Sequence, residues 1–279
     1  MLNATTSLLP FFLPAQGGQR YCLLHLPAPG QAARGGIIYI HPFAEELNKS
    51  RHVAAMQARA FAALGYSVLQ LDLYGCGDSS GDFGDARWSI WRNDLHLACA
   101  WLARRVDGPL TLWGLRLGAL LALDYAARAE QAPARMLLWQ PVLSGAQHLN
   151  QFLRLRVAGE MLQDGGASGG TAALRARLQA GEVLEIGGYE LHPALALAVE
   201  GVDAARLAAP PCRVDWFEMV PEVGRPPPPA SARLVDSWRV GGGDVRLATL
   251  AGPAFWTTQE IAEAPALLDA SANAYPGPA

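Results

Sequence analysis

The chain has 279 residues, of which 51% are apolar and 17% charged, the balance of a globular protein long enough to bury a large core in one α/β unit with an insertion. A net charge of −3 offers no broad basic surface, so nucleic acid is not an expected partner. Cys22, Cys76, Cys99 and Cys212 lie far apart in no C-x-x-C or zinc-like spacing, which leads us to expect reduced thiols, a cytoplasmic setting, no cofactor and no metal.

Residues 1–14 lack a basic n-region and are broken by Pro10 and Pro14, so no export signal is expected. No apolar run approaches the roughly 18 residues of a bilayer span. Residues 7–14 and 20–26 read as a leading pair of strands, and 35–41, G-G-I-I-Y-I-H, as a buried strand. Asn48 or Ser50 is suited to cap the next helix, whose Val53, Met56, Ala60, Phe61 and Leu64 form one apolar stripe before Gly65. A strand over 66–73 follows, then a long helix with Trp88, Trp91, Leu95, Cys99 and Leu102 on its buried face. A strand from Pro109, a tight turn, a helix to about Ala129 and a strand over 135–142 continue the alternation. It stops at Ser144. Residues 144–209 hold two short helical patterns, 148–163 and 171–180, split by D-G-G-A-S-G-G, as in a hinged helical cap of residues 144–209 inserted into a core of 1–143 and 210–279. The sheet resumes over 212–217, pauses at P-E-V-G-R-P-P-P-P, and ends with a helix (230–238), a strand (245–250) and a helix (265–273). The prolines at 226–229 read as a stiff surface loop or as a ligand for a proline-binding partner.

Strands alternating with helices predict a mostly parallel sheet of eight strands covered on both faces. Within it, Gly114-Leu115-Arg116-Leu117-Gly118 has the frame of the G-x-S-x-G nucleophile elbow of α/β-hydrolases, with an arginine where the serine belongs. A guanidinium stays protonated and cannot attack a carbonyl. The base is missing too, since the segment after the last strand, A-G-P-A-F-W-T-T-Q-E, holds no histidine and none follows His192. Glu218 is the nearest candidate for the triad acid, but it has no histidine to orient.

Glu45 and Glu46 stand on the loop H-P-F-A-E-E, where such folds normally donate an oxyanion N–H. Arg116 is expected to pair with one of them on the floor of a cap-covered pocket. That pair is either a structural lock or a site in which a carboxylate activates water while Arg116 polarises a substrate oxygen. The loop D-L-Y-G-C-G-D-S-S-G offers Cys76, Ser79 and Ser80, none with a base nearby, so turn formation is the preferred reading. His41 is expected to bond locally, His52 and His96 to face solvent, and His25 to lie near the leading strands. His148 and His192 belong to the cap and can overhang the site, so His148 joins Arg116, Glu45 and Glu46 as a catalytic candidate. Arg154 and Arg156 either meet an anion or snorkel from an amphipathic helix.

The strings H-P-F-A-E-E-L-N-K-S-R, L-D-L-Y-G-C-G-D-S-S-G-D-F, L-W-G-L-R-L-G-A-L-L-A and G-G-Y-E-L-H-P-A-L together resemble one branch of the α/β-hydrolase superfamily, the second type of hydrolase associated with the exosortase A system. The resemblance runs over nearly the whole chain. It implies the hydrolase fold and a setting among bacterial exopolysaccharide and protein-sorting genes, but no substrate, and the superfamily's triad does not carry over. Three functions stay open: hydrolysis or acyl transfer on a small ester, thioester or acylated sugar by non-serine chemistry; a binding protein whose elbow arginine holds an anionic small molecule; and a scaffold using the proline loop or cap, with a homodimer left open.

Overall fold

The computed structural model describes residues 7–164 and 169–275. Strands β1 (Ser7–Ala15) and β2 (Gly18–Leu26) form an antiparallel hairpin. There follow β3 (Gly36–Ile40), α1 (Glu45–Ala63), β4 (Ser67–Leu71), α2 (Trp88–Ala103), β5 (Leu110–Leu115), α3 (Leu117–Ala126) and β6 (Arg135–Trp139). After β6 come α4 (Gly145–Asp164), α5 (Gly170–Gln179), β7 (Leu184–Ile186), β8 (Tyr189–Leu191) and α6 (Pro193–Glu200). The chain closes with β9 (Arg213–Val220), α7 (Pro229–Val240), β10 (Val245–Ala251) and α8 (Pro265–Ala274). One sheet of eight strands runs β1-β2-β4-β3-β5-β6-β9-β10, parallel from β4 onward, which is the expected α/β-hydrolase fold.

The central strands β3, β5 and β6 read as nearly unbroken apolar runs because they are buried on both faces. Ile37, Tyr39, Trp113, Leu137, Trp139 and Phe217 pack with α1 and α8. Their neighbours Ile38, Ile40, Leu112, Met136, Leu138 and Trp216 pack with α2, α3 and α7. Helix α3 is buried on all sides except at Tyr125, which explains its run of leucine and alanine. No helix among the described residues is long and apolar enough to cross a membrane.

Helix α1 departs from its expected start. It begins at Glu45, with Ala44 at the cap, and the proposed cap Ser50 is buried inside the helix, donating to the Glu46 carbonyl at 2.7 Å. The stripe is rotated accordingly: Val53 and Phe61 are buried, but small Ala54, Ala58 and Ala62 and the polar Gln57 replace Met56, Ala60 and Leu64 against the sheet. The turn before the helix fixes its phase, and alanines let its backbone lie close to β4.

The described residues between 144 and 203 supply no strand to the large sheet. Their ends are clamped together, Gly145 N–H donating to Val202 O at 2.9 Å and Ala204 N–H to Leu143 O at 2.8 Å. A Cβ at Gly145 would run into the Val199 carbonyl, so the start of α4 needs a glycine to cross the end of α6. The expected helices appear as α4 and α5. The hairpin β7–β8 and helix α6 were not separately legible, because three-residue strands are too short to show a period. Of the D-G-G-A-S-G-G hinge, residues 165–168 lie outside the described residues.

Candidate functional site

Among the described residues, three that are not glycine adopt positive φ: Ala44 at 48°, Arg116 at 55° and Gln140 at 42°. They follow β3, β5 and β6, which are adjacent in the sheet. Such conformations cost on the order of 1–3 kcal/mol each and persist where the surroundings over-determine them. The carboxyl ends of parallel strands are also where α/β sheets bind ligands. Here the restraints are visible. Arg116 N–H donates to Trp139 O at 3.0 Å, Gln140 N–H to Phe217 O at 2.8 Å, and Met219 N–H to the Gln140 side-chain carbonyl at 2.6 Å. Both glycines of the elbow are required by packing, since a Cβ at Gly114 would strike the Ala119 backbone and one at Gly118 the carbonyls of Ile40 and His41. The turn thus has the sharp strand-to-helix geometry read from the sequence, with Arg116 at its apex. No side chain caps the first turn of α3, so the positive end of that helix adds to the Arg116 charge.

Arg116 Nε donates to Glu46 Oε1 at 3.2 Å, and both side chains are largely buried. Glu46, not Glu45, is the partner; half-buried Glu45 adds only repulsion. Burial pushes the Glu46 carboxyl up to about 7 and outweighs the pull of the guanidinium. Its Oε2 is buried without a hydrogen-bond partner. The Arg116 guanidinium carbon lies 5.5 Å from the Trp256 ring centroid, a cation–π contact at the segment where a catalytic histidine would stand. His148 reaches in from α4, its ring 5.5 Å from that of Phe43. Neither of its ring nitrogens has a partner, and burial, helped by the Arg116 charge, lowers its pKa to about 3, so it is neutral. The site therefore gathers an arginine, a carboxyl poised near neutrality and an uncharged imidazole.

Glu218, the candidate for the triad acid, lies on β9, and its Oε1 accepts from Trp216 Nε1 at 2.8 Å and Ser231 Oγ at 2.6 Å. Burial raises its pKa. The D-L-Y-G-C-G-D-S-S-G loop is turn chemistry. Asp72 accepts from Asp78 N–H and Arg51, Ser79 Oγ bridges Asp72 O and Tyr21 N–H, and Ser80 Oγ accepts from Gln19 N–H. Burial pushes the Cys76 thiol well up, away from nucleophilic thiolate. His41 bonds locally to Pro42 O, and its Nε2 also accepts from the N–H of Leu73, remote in sequence. His25 meets Gln70, and His52 and His96 are exposed. His192 does not overhang the site: it caps α6, its Nδ1 accepting from Ala194 N–H. Arg156 donates to Glu185 O, and Arg154 is exposed.

The cavity beside the elbow, lined by Phe43, Ala44, Leu117 and Gly118 among others, measures about 10 Å³ and does not include Arg116 among its lining residues. Trp256 packs against the guanidinium, and His148 lies near enough to feel its charge. A larger cavity of about 620 Å³ opens beside the first turns of α1, against Tyr21, Asn48, Arg51, Asp78 and Tyr189. Among the described residues no cluster of three or more His, Cys, Asp or Glu is arranged to hold a metal ion. Trp256 and Gln140 were not singled out from the sequence, although the histidine-free segment holding Trp256 was the available signal.

A family model described as serine aminopeptidase, S33 (Hydrolase_4), matches residues 31–177. Among solved structures, Est1E from Butyrivibrio proteoclasticus with bound ferulic acid is similar at 16% identity, covering 95% of this chain and 96% of that one, with a TM-score of 0.67. The lidless α/β serine hydrolase XC6422 from Xanthomonas campestris is similar at 18% identity over 97% and 93% of the two chains, with a TM-score of 0.57. A highly thermostable carboxyl esterase from Bacillus coagulans in complex with glycerol aligns at 15% identity over 89% and 91%, with a TM-score of 0.58. At these identities the likeness is one of fold. No curated protein matches the chain.

Proposed function

The chain belongs to the serine aminopeptidase S33 family, and from that premise we propose that it hydrolyses a small ester, thioester or acylated sugar with Glu46 and Arg116 in place of the serine triad. The observation that carries this reading is the Glu46 carboxyl: buried, held at about 7, with a free Oε2 beside a fixed guanidinium. Ionised Glu46 takes a proton from water, the resulting hydroxide attacks the acyl carbon, and Arg116 with the α3 N-terminus meets the negative charge that develops on the carbonyl oxygen. Glu46 returns the proton to the departing alcohol or thiol. Acid and alcohol leave, one water is consumed, and the carboxylate is restored. In this reading residues 144–209 are a cap on the core of 1–143 and 210–279, with His148 and Phe152 seated on Phe43. The strings shared with exosortase-associated hydrolases support a bacterial exopolysaccharide setting, and the free cysteines a cytoplasmic one.

Turnover of p-nitrophenyl butyrate tests the reading. We expect a rate that rises through about pH 7, resists a fluorophosphonate probe, and falls on the order of a hundredfold in a folded Glu46→Gln variant. A fluorophosphonate-modified serine, or undiminished activity in that variant, would overturn it. A second reading has its own support, because the cavity beside the elbow is only about 10 Å³ and Trp256 packs against the guanidinium. The site then holds an anion without turnover, and butyrate should stabilise the wild type but not Arg116→Ala.

A further inference from the structure

We propose that the protein forms a two-fold homodimer in which β10 of one copy pairs antiparallel with β10 of a second, making one sheet continuous across both. β10 is an edge of the large sheet, and among the described residues no strand lies on its outer side. Its register decides which backbone groups are left over. Val214 N–H donates to Asp244 O and Gly252 N–H to Val220 O, so the even-numbered residues of β10 bond to β9, and Leu247, Thr249 and Ala251 turn their N–H and C=O groups outward. Such groups on an edge are a template for another strand. The opposite edge is blunted against this. Ala15 pairs with Gly18 around a tight turn, so Leu8, Pro10, Phe12 and Pro14 of β1 face outward, and the prolines among them have no N–H to offer. β10 holds no proline, and Arg246 is its one charge.

The occupant that fits is a second copy, because the free stretch is complementary to itself. Val245 O is already taken by Arg239 Nε at 3.0 Å, and Pro253 has no N–H to give, so the pairing is bracketed at both ends. The stretch between them is centred on Thr249. Under a two-fold axis there, Thr249 meets its own counterpart and Leu247 meets the second copy's Ala251, each pair exchanging both its hydrogen bonds. On the other face of the strand Leu250 meets Ala248, and Arg246 meets Gly252. Large residues thus oppose small ones, threonine opposes threonine, and no charge opposes its like. A groove of about 360 Å³ lies along the same stretch, between Leu247 and Thr249 on one side and Asp236 and Arg239 of α7 on the other. Those two charges lie 3.5 Å apart and offset each other, so the helices flanking the new strand pair do not repel. The dimer makes no use of the elbow, so it is independent of the proposed hydrolysis.

Sedimentation equilibrium of the full chain from about 2 to about 200 µM reads the assembly, and circular dichroism checks that each variant folds; the wild-type mass should double across this range. Thr249→Pro removes the central outward N–H and leaves the β9 ladder intact, and Thr249→Lys sets like charges directly opposite each other. Each should need at least about tenfold more protein to dimerise. Oxidation with diamide reads the register. In the dimer the Cα atoms of position 249 lie about 5.5 Å apart, within disulfide reach, whereas those of position 246 lie about 20 Å apart at about 3.4 Å per residue. Thr249→Cys should therefore cross-link at least about tenfold faster than Arg246→Cys. A wild type that is monomeric at every concentration, a folded Thr249→Lys that dimerises as well as the wild type, or equal cross-linking of the two cysteine variants would overturn the proposal.

Discussion

Position 116 exchanges a small neutral nucleophile for a fixed cation, and the residue that answers it is a carboxyl in two minds about its proton. The folded-state pKa of Glu46, about 7, lies above its ordinary value of 4.5, so the native state holds that proton more tightly than the unfolded chain does. Its contribution to stability is therefore complete below about 4.5 and is lost as pH rises through about 7. Removing Arg116 takes away the charge that makes ionisation tolerable. Arg116→Ala should then cost about 3 kcal/mol at about pH 8, where Glu46 would be a buried unpaired anion, and much less at about pH 5, where it is protonated. Urea denaturation at the two pH values checks this, and an equal cost at both would mean that Glu46 does not hold a proton near neutrality. Of this pairing the sequence showed the participants but not the choice: Glu45 and Glu46 are chemically identical neighbours about 100° apart around a helix. Which one faces α3 depends on where α1 begins.

That start is a matter of elements. Ala44 ends the Phe43 turn at φ 48° and ψ −125°, a region natural to glycine, and the helix phase follows from it. Ala44→Gly should be neutral or stabilising by up to about 1 kcal/mol, because relief of strain offsets the added chain entropy. Gly118→Ala should destabilise by about 1–3 kcal/mol, because its Cβ would meet the Ile40 and His41 carbonyls and push α3 off β3. Thermal melts of the two variants should move in different directions or at least by clearly different amounts. The frame of the elbow was legible because its turn chemistry lies within five consecutive residues, and the long helices because their periodicity runs over several turns. The capping of α1 was misread. Asn48 and Ser50 are good cap residues, and nothing local in the sequence says that a strained alanine starts the helix first.

Across the whole molecule, the antiparallel hairpin is tied to the helical layer by one buried pair: Arg20 Nε donates to Asp94 Oδ1 at 2.8 Å, and Asp94 Oδ2 accepts from Tyr74 N–H at 2.9 Å. The Arg20 guanidinium also lies 4.5 Å from the Tyr74 ring centroid, so the pair joins β2, α2 and the loop after β4. Arg20→Ala should cost about 3–5 kcal/mol in chemical denaturation, most of it from Asp94 left buried and unpaired; a loss below about 1 kcal/mol would show that the hairpin is not held this way. By itself the sequence determined the parallel, doubly covered sheet, since strands buried on both faces must be apolar throughout, and it determined that the elbow carries arginine and the last loop no histidine. The tertiary structure decided the rest: that Glu46 answers Arg116 across 70 residues of chain, that Trp256 lies over the guanidinium, and that His148 reaches Phe43. Local patterns record what a segment of chain must become, whereas contacts between remote segments depend on how every element packs at once.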